Sequence, residues 1–186
     1  MINAAVRSYT GGGPPARPRP PTPIAMSTGV RPRLSFTSSS KEIAITPITG
    51  PKLLELVRAS KARAVVVNVW ATWCIPCREE FPEILRLRAD YRSRGLEVIL
   101  VSGDFDDTLV EARKFLAEQG VDFATYVKSG GDMEFINTLD PDWSGALPAT
   151  FVFDPTGKRH HSLFGKGTYD AFEKSVLDVL NETGRK

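Results

Sequence analysis

Cys74 and Cys77 are the only cysteines among 186 residues, and two residues, Ile75 and Pro76, separate them. Two chemistries use that spacing: a dithiol that exchanges disulfides, and one half of a metal site. Only the thiolate attacks a disulfide, so the exchange reading requires surroundings that favour a negative sulfur. The start of a helix supplies them, through unpaired backbone N–H groups and the positive end of the helix dipole. The sequence places Cys74 there. A β-branched run, Val65-Val66-Val67-Asn68-Val69-Trp70, precedes it, and a charged segment that reads as a helix follows. Pro76 falls in the first helical turn, where its missing N–H costs nothing and its fixed φ suits the helix. Cys77, three residues after Cys74, is within bonding reach in that turn.

The metal reading needs further ligands. The only histidines are the adjacent His160 and His161. Adjacent strand residues point to opposite faces, so structural zinc is not expected, and no metal or cofactor is assigned beyond the redox-active Cys74–Cys77 disulfide. Both histidines are assigned to a hairpin surface without a catalytic role.

The elements that must hold this dithiol follow from periodicity. Ile43 and Ile45 suggest a short strand. Leu53, Leu54, Leu56 and Val57 recur at helical spacing, with Thr49 as N-cap and Pro51 in the first turn. Residues 64–70 form a strand buried on both faces, and the helix after it ends near Arg94 at Gly95. A second buried strand covers 96–102 and an amphipathic helix covers 106–119, closed by Gly120. Residues 121–127 form a strand candidate, 129–139 a short helix and loop, and 149–153 a strand. The turn Asp154-Pro155-Thr156-Gly157 leads into a hairpin partner over 158–164, and a helix over 168–180 closes the domain. Strands alternating with helices, then an antiparallel hairpin, imply an α/β domain with a mixed central sheet and helices on both faces. Chemistry in such sheets gathers beyond the carboxyl ends of the parallel strands, where Cys74 falls.

Residues 1–40 hold a proline-dense run from Pro14 to Pro23, Gly11-Gly12-Gly13 and Ser38-Ser39-Ser40. That composition buries too little surface to offset ordering entropy, so the segment reads as a disordered extension before a domain over 41–186. It carries five arginines and no acid, which leaves 19 basic against 22 acidic residues elsewhere, although the whole chain is at +2. The domain therefore has no basic surplus for nucleic acid. No apolar run reaches the ~20 residues of a membrane span, and no secretory signal is visible. A cytoplasmic location is the default expectation, with an organellar transit role for the arginine- and serine-rich extension as the alternative.

The segment Trp70-Ala71-Thr72-Trp73-Cys74-Ile75-Pro76-Cys77-Arg78-Glu79-Glu80-Phe81-Pro82 resembles the active site of thioredoxin-like proteins, specifically the TlpA/ResA-type thiol–disulfide oxidoreductases, including those of cytochrome c maturation. A second match is Gly145-Ala146-Leu147-Pro148-Ala149-Thr150-Phe151-Val152-Phe153-Asp154, and the likeness spans about residues 42–182. It implies a thioredoxin fold with a helix and strand inserted before a cis-proline at Pro148. Pro148 then keeps metal away from the thiols and leaves the Leu147 backbone free to pair with a client segment. Without the resemblance, an ordinary trans proline at an edge strand is the better reading. The resemblance also implies protein thiols and disulfides as partners, apocytochromes or other redox proteins among them, reduction as the direction, a monomer, and a periplasmic or envelope setting.

Thioredoxin itself has a buried aspartate where this chain has Asn68, and an amide cannot take a proton from Cys77. The TlpA/ResA type commonly has asparagine there. Glu80, one helical turn after Cys77, is the candidate substitute, with a solvated surface carboxylate as the competing reading. Trp73 is expected to cover one side of the dithiol and offer clients an apolar surface, while Trp70 belongs to the core. Trp143 lines the same groove or packs in the core. Phe105, Asp106 and Asp107 border the site or are solvated loop residues, and Arg78 reads as a surface residue. Two other functions fit the same residues. A thiol peroxidase is one, although the chain lacks P-x-x-x-T-x-x-C around Cys74, and a non-enzymatic redox sensor or binding module is the other.

Overall fold

The computed structural model describes residues 43–184. The expected disordered extension over 1–40 lies outside the described residues. Among the described residues, six strands form one sheet in the order β1-β4-β3-β2-β5-β6. They are β1 (Ile45–Ile48), β2 (Ala64–Trp70), β3 (Leu96–Ser102), β4 (Thr125–Lys128), β5 (Ala149–Phe153) and β6 (Arg159–Phe164). The helices are α1 (Gly50–Ala59), α2 (Ile75–Tyr91), α3 (Leu109–Glu118), α4 (Asp132–Leu139) and α5 (Tyr169–Thr183).

Strand β2 sits at the centre and all seven of its residues are buried. It pairs in parallel with β3 along its full length and antiparallel with β5. Its side chains alternate between two cores. Ala64, Val66 and Trp70 join Phe81 of α2, Phe115 of α3 and Phe172 of α5. Val65, Val67 and Val69 join Leu53 of α1 and Phe135 of α4. A strand apolar on both faces thus demands a helix layer on each, which gives the expected mixed sheet covered on both sides. Among the described residues, no helix is long and apolar enough to cross a membrane.

Three strands, β2, β3 and β5, have the bounds the sequence predicts. Strand β1 begins at Ile45 instead of reaching back to Ile43. It is an edge strand, so Pro47 removes no needed donor there. Strand β4 begins four residues later than predicted, because Val121 is buried in the core from the loop before it. Helix α2 ends at Tyr91, and a 3₁₀ turn over Arg92–Arg94 carries the chain to Gly95, whose φ of 95° favours glycine.

The expectation for the histidines needs correction. Val152 pairs with His161 but Phe153 pairs with Arg159, so His160 is an extra residue in a β-bulge. The bulge turns both rings towards α5: His160 Nδ1 lies 3.4 Å from Glu182 Oε2, and His161 Nε2 lies 3.5 Å from Asp178 Oδ2. They do not face opposite ways. No cluster of three or more residues able to hold a metal ion occurs among the described residues.

Candidate functional site

Four loops meet where the parallel strands end at their carboxyl termini. The chain leaves β2 at Trp70 and enters α2 at Ile75 with Cys74 as N-cap. Cys74 has extended backbone angles, and its Sγ accepts a hydrogen bond from the Cys77 N–H at 3.2 Å. A sulfur thus takes the capping position that serine or aspartate fills elsewhere. The Cα atoms of Cys74 and Cys77 are 5.3 Å apart, and the two sulfurs are joined as a disulfide. Both cysteines are buried, Cys74 at 5 % exposure and Cys77 at 1 %, so Cys74 is the less enclosed of the two. Pro76 lies in the first turn. Beneath the dithiol loop, Trp70, Phe81 and Phe115 meet edge to face or tilted at about 5 Å between centroids, namely 5.0, 5.2 and 4.9 Å.

The loop before β5 carries the second sequence signal. The Leu147–Pro148 bond is cis. Two neighbours pin this loop: Trp143 Nε1 donates to Ala146 O at 2.8 Å, and Pro148 O accepts from Gly165 N at 2.9 Å. Trp143 is therefore a core residue, against Phe151 on the α1/α4 side of the sheet. Leu147 makes no backbone hydrogen bond among the described residues.

Glu80 is 2 % exposed, which excludes the solvated-carboxylate reading. Its Oε1 accepts from Asn68 Nδ2 at 3.1 Å and its Oε2 from Gly167 N at 2.7 Å. Asn68, itself buried, also donates to Thr150 Oγ1 at 3.0 Å. Both acceptors sit on Nδ2, so the amide orientation is fixed. Asn68 Oδ1 and Trp70 Nε1 are buried without a hydrogen-bond partner among the described residues. Burial pushes the Glu80 carboxyl above its ordinary value. The Gly167 and Asn68 hydrogen bonds and the Lys166 charge pull the other way without cancelling it.

Asp104 escaped the sequence reading. It is 4 % exposed, and it ties the loop after β3 to the loop before Cys74. Both carboxylate oxygens accept from Thr72 N at 3.1 Å, and Thr72 Oγ1 and Ser102 Oγ also donate to them. Gly103 N donates to Trp70 O at 2.7 Å in parallel. The available signal was a carboxylate two residues after the end of a buried strand, at the same end of the sheet as the dithiol.

Trp73 and Ile75, which flank Cys74, are 58 % and 69 % exposed. Phe105 is 68 % exposed at the tip of the adjoining loop, and Asp106 and Asp107 are exposed beside it. Arg78 lies over the Phe115 ring at 5.4 Å. The arrangement sets a pair of enclosed cysteines at a helix start, a buried carboxylate one turn away and exposed apolar side chains on the flanking loops.

Comparison with known proteins agrees with this chemistry. The profile of the AhpC/TSA family matches residues 49–161, a span that holds Cys74, Cys77 and Pro148. The chain is 28 % identical over 141 residues to the thiol-disulfide oxidoreductase ResA of Bacillus thuringiensis (strain Al Hakam), covering 76 % of each chain. It is 36 % identical over 119 residues to the thiol:disulfide interchange protein HelX of Rhodobacter capsulatus, covering 63 % of this chain and 61 % of that one. The solved structure of a thioredoxin-related protein from Neisseria meningitidis serogroup B superposes with a TM-score of 0.54 at 27 % identity, over 69 % of this chain and 90 % of that chain.

Proposed function

The chain belongs to the AhpC/TSA family, and from that premise we propose how it works as a thiol–disulfide oxidoreductase: Cys74 is the attacking sulfur, Cys77 the resolving sulfur, and protein disulfides are the substrates. The observation that carries this is the capping geometry, in which Cys74 Sγ accepts the Cys77 N–H at the start of α2 while Cys77 is closed off from solvent. That position favours a negative charge on Cys74 and not on Cys77.

In the reducing direction the Cys74 thiolate attacks one sulfur of a client disulfide. A Cys74–client bond forms, the client S–S bond breaks, and the departing client thiolate takes a proton. Cys77 then loses its proton and attacks Cys74 Sγ. The second client thiol leaves, and the Cys74–Cys77 disulfide remains. Two electrons have passed to the client, and an external dithiol must restore the reduced pair. Glu80 is the proton acceptor for Cys77, and Asn68 orients its carboxylate. Trp73 shields the mixed disulfide. Pro148 shapes the loop beside it, and the free Leu147 backbone offers a partner to an extended client segment. The protein acts as a monomer on a protein client, an apocytochrome or another redox protein.

The test begins with insulin reduction by the reduced protein. Turnover is expected with wild type and none with Cys74→Ser. Turnover of hydrogen peroxide without insulin reduction would instead assign a thiol peroxidase. Client binding unchanged in the Cys74→Ser, Cys77→Ser double variant would assign a binding module. In cells, Cys77→Ser is expected to stall a client on Cys74 as a covalent adduct that dithiothreitol releases, which identifies the client.

A further inference from the structure

Two exposed aromatic residues each follow one partner of a part-buried clamp. Thr72 and Asp104 are joined through Thr72 N at 3.1 Å and through the Thr72 hydroxyl. The residue after Thr72 is Trp73, 58 % exposed, and the residue after Asp104 is Phe105, 68 % exposed. Trp73 adjoins the nucleophile by sequence. Asp104 and Gly103 fasten the loop after β3, which carries Phe105, to the loop before Cys74.

The backbone that carries Phe105 is held as well. Its N–H donates to Thr108 Oγ1 at 3.0 Å, and its carbonyl accepts from Thr108 N at 2.9 Å and from Thr108 Oγ1 at 3.0 Å. A buried carboxylate is costly unless its oxygens are bonded. Here that carboxylate anchors a loop whose tip shows an aromatic ring to solvent. An aromatic displayed on an anchored loop loses little freedom on contact, which is the condition for an interface anchor.

We propose that Phe105 is a specificity-determining residue for protein clients. With Trp73 it receives an apolar side chain of the extended client segment whose cysteine is joined to Cys74. This rests on the oxidoreductase reading and adds to it the chemistry of the client beside its disulfide. A small disulfide reaches Cys74 without touching Phe105, whereas a polypeptide extending from the mixed disulfide crosses the rim. Phe105 therefore separates the two kinds of substrate.

The experiment compares full-length wild type, Phe105→Ser and Phe105→Trp, all reduced, with insulin as the protein disulfide and 5,5′-dithiobis(2-nitrobenzoate) as the small one. Phe105 is exposed, so neither substitution opens a core cavity. The insulin-to-small-disulfide rate ratio is expected to fall about tenfold in Phe105→Ser, through KM, the scale of losing an aromatic anchor. Phe105→Trp is expected to keep the wild-type ratio. A wild-type ratio in Phe105→Ser, or a parallel loss on both substrates, overturns the proposal while leaving the oxidoreductase reading intact. A wild-type protein that reduces neither disulfide overturns that reading and this proposal with it.

Discussion

Glu80 Oε1 lies 3.1 Å from Asn68 Nδ2, so a buried carboxylate on α2 is held by a buried amide on β2, one turn from Cys77. In this arrangement the amide orients the group that titrates, and it does not titrate itself. Its second hydrogen bond, to Thr150 Oγ1, keeps the amide from turning.

Glu80→Gln separates the chemical role from the structural one. Without an acceptor for its proton, Cys77 resolves the mixed disulfide slowly. Insulin reduction is expected to fall about 100-fold, with the Cys74-linked client accumulating on non-reducing gels. Stability moves the other way with pH. Burial raises the Glu80 carboxyl above about 4.5. Between that value and its folded-state value the native protein binds more protons than the unfolded chain, and wild type loses stability as pH rises. Glu80→Gln has no such loss. The stability of the variant relative to wild type is expected to rise with pH across that window and then level off, as read from urea unfolding at a series of pH values. A pH-independent difference would remove Glu80 from the titrating groups of the site.

Gly167 holds Glu80 through its backbone N–H at a place where a side chain would crowd Phe172. A Cβ there would lie 2.3 Å from Phe172 Cζ, while the Gly167 N–H donates to Glu80 Oε2 at 2.7 Å. Gly167→Ala is expected to cost about 1–3 kcal/mol by overpacking. Adding Gly167→Ala to a Phe172→Leu background is expected to cost less, because the ring it meets is gone. A double-mutant cycle by denaturant unfolding measures that coupling, and additive costs would place the strain elsewhere.

The reach of the sequence follows from how local each feature is. The run Val65–Val69 discloses β2 because every side chain but that of Asn68 is apolar, and Cys74 with Pro76 discloses the start of α2, since capping depends on neighbours in the chain. The fate of Glu80 depends on Gly167, 87 residues away, and no pattern around Glu80 distinguishes a buried carboxylate from a helix-surface one. Asp104 is the same case: its partner Thr72 is 32 residues earlier. Trp143 reads equally well as rim or core until Phe151 is placed beside it. The His160 bulge reverses a face assignment that strict alternation would make, and a single extra residue in a ladder leaves no mark on composition.

Asp104→Ala probes the clamp. It leaves Thr72 N, the Thr72 hydroxyl and the Ser102 hydroxyl without their acceptor in a buried setting. The expected cost is about 2–3 kcal/mol, the scale of a buried donor left unmade at a charged acceptor. It should show as a lower urea midpoint at an unchanged slope. Asp104→Ala also unfastens the loop that carries Phe105, so the insulin-to-small-disulfide rate ratio is expected to fall as proposed for Phe105→Ser. Loss of stability with an unchanged ratio would make Asp104 a purely structural residue.

Asp154 gives the fold a distinct acid limit. It closes the β5–β6 turn, accepting from Thr156 N at 2.8 Å, Thr156 Oγ1 at 2.6 Å and Lys158 N at 3.1 Å, with His160 Nε2 at 3.0 Å. Burial alone would raise its carboxyl. The Thr156, His160 and Lys158 hydrogen bonds overcome that and hold it from 3.8 down to about 2. A depressed carboxylate contributes stability above its unfolded-state value and loses it as pH falls towards the folded-state value. Asp154→Asn keeps the shape of the turn but not the charge. Its expected cost at pH 7 is about 2 kcal/mol, because each tenfold strengthening of an acid on folding is worth about 1.4 kcal/mol. That cost should shrink from about pH 4 downward and be mostly lost by pH 2, where about half of the wild-type carboxylate is protonated. Urea unfolding of both proteins between pH 2 and pH 7 measures the difference. A cost that persists unchanged at pH 2 would mean that the turn depends on the shape of residue 154 and not on its charge.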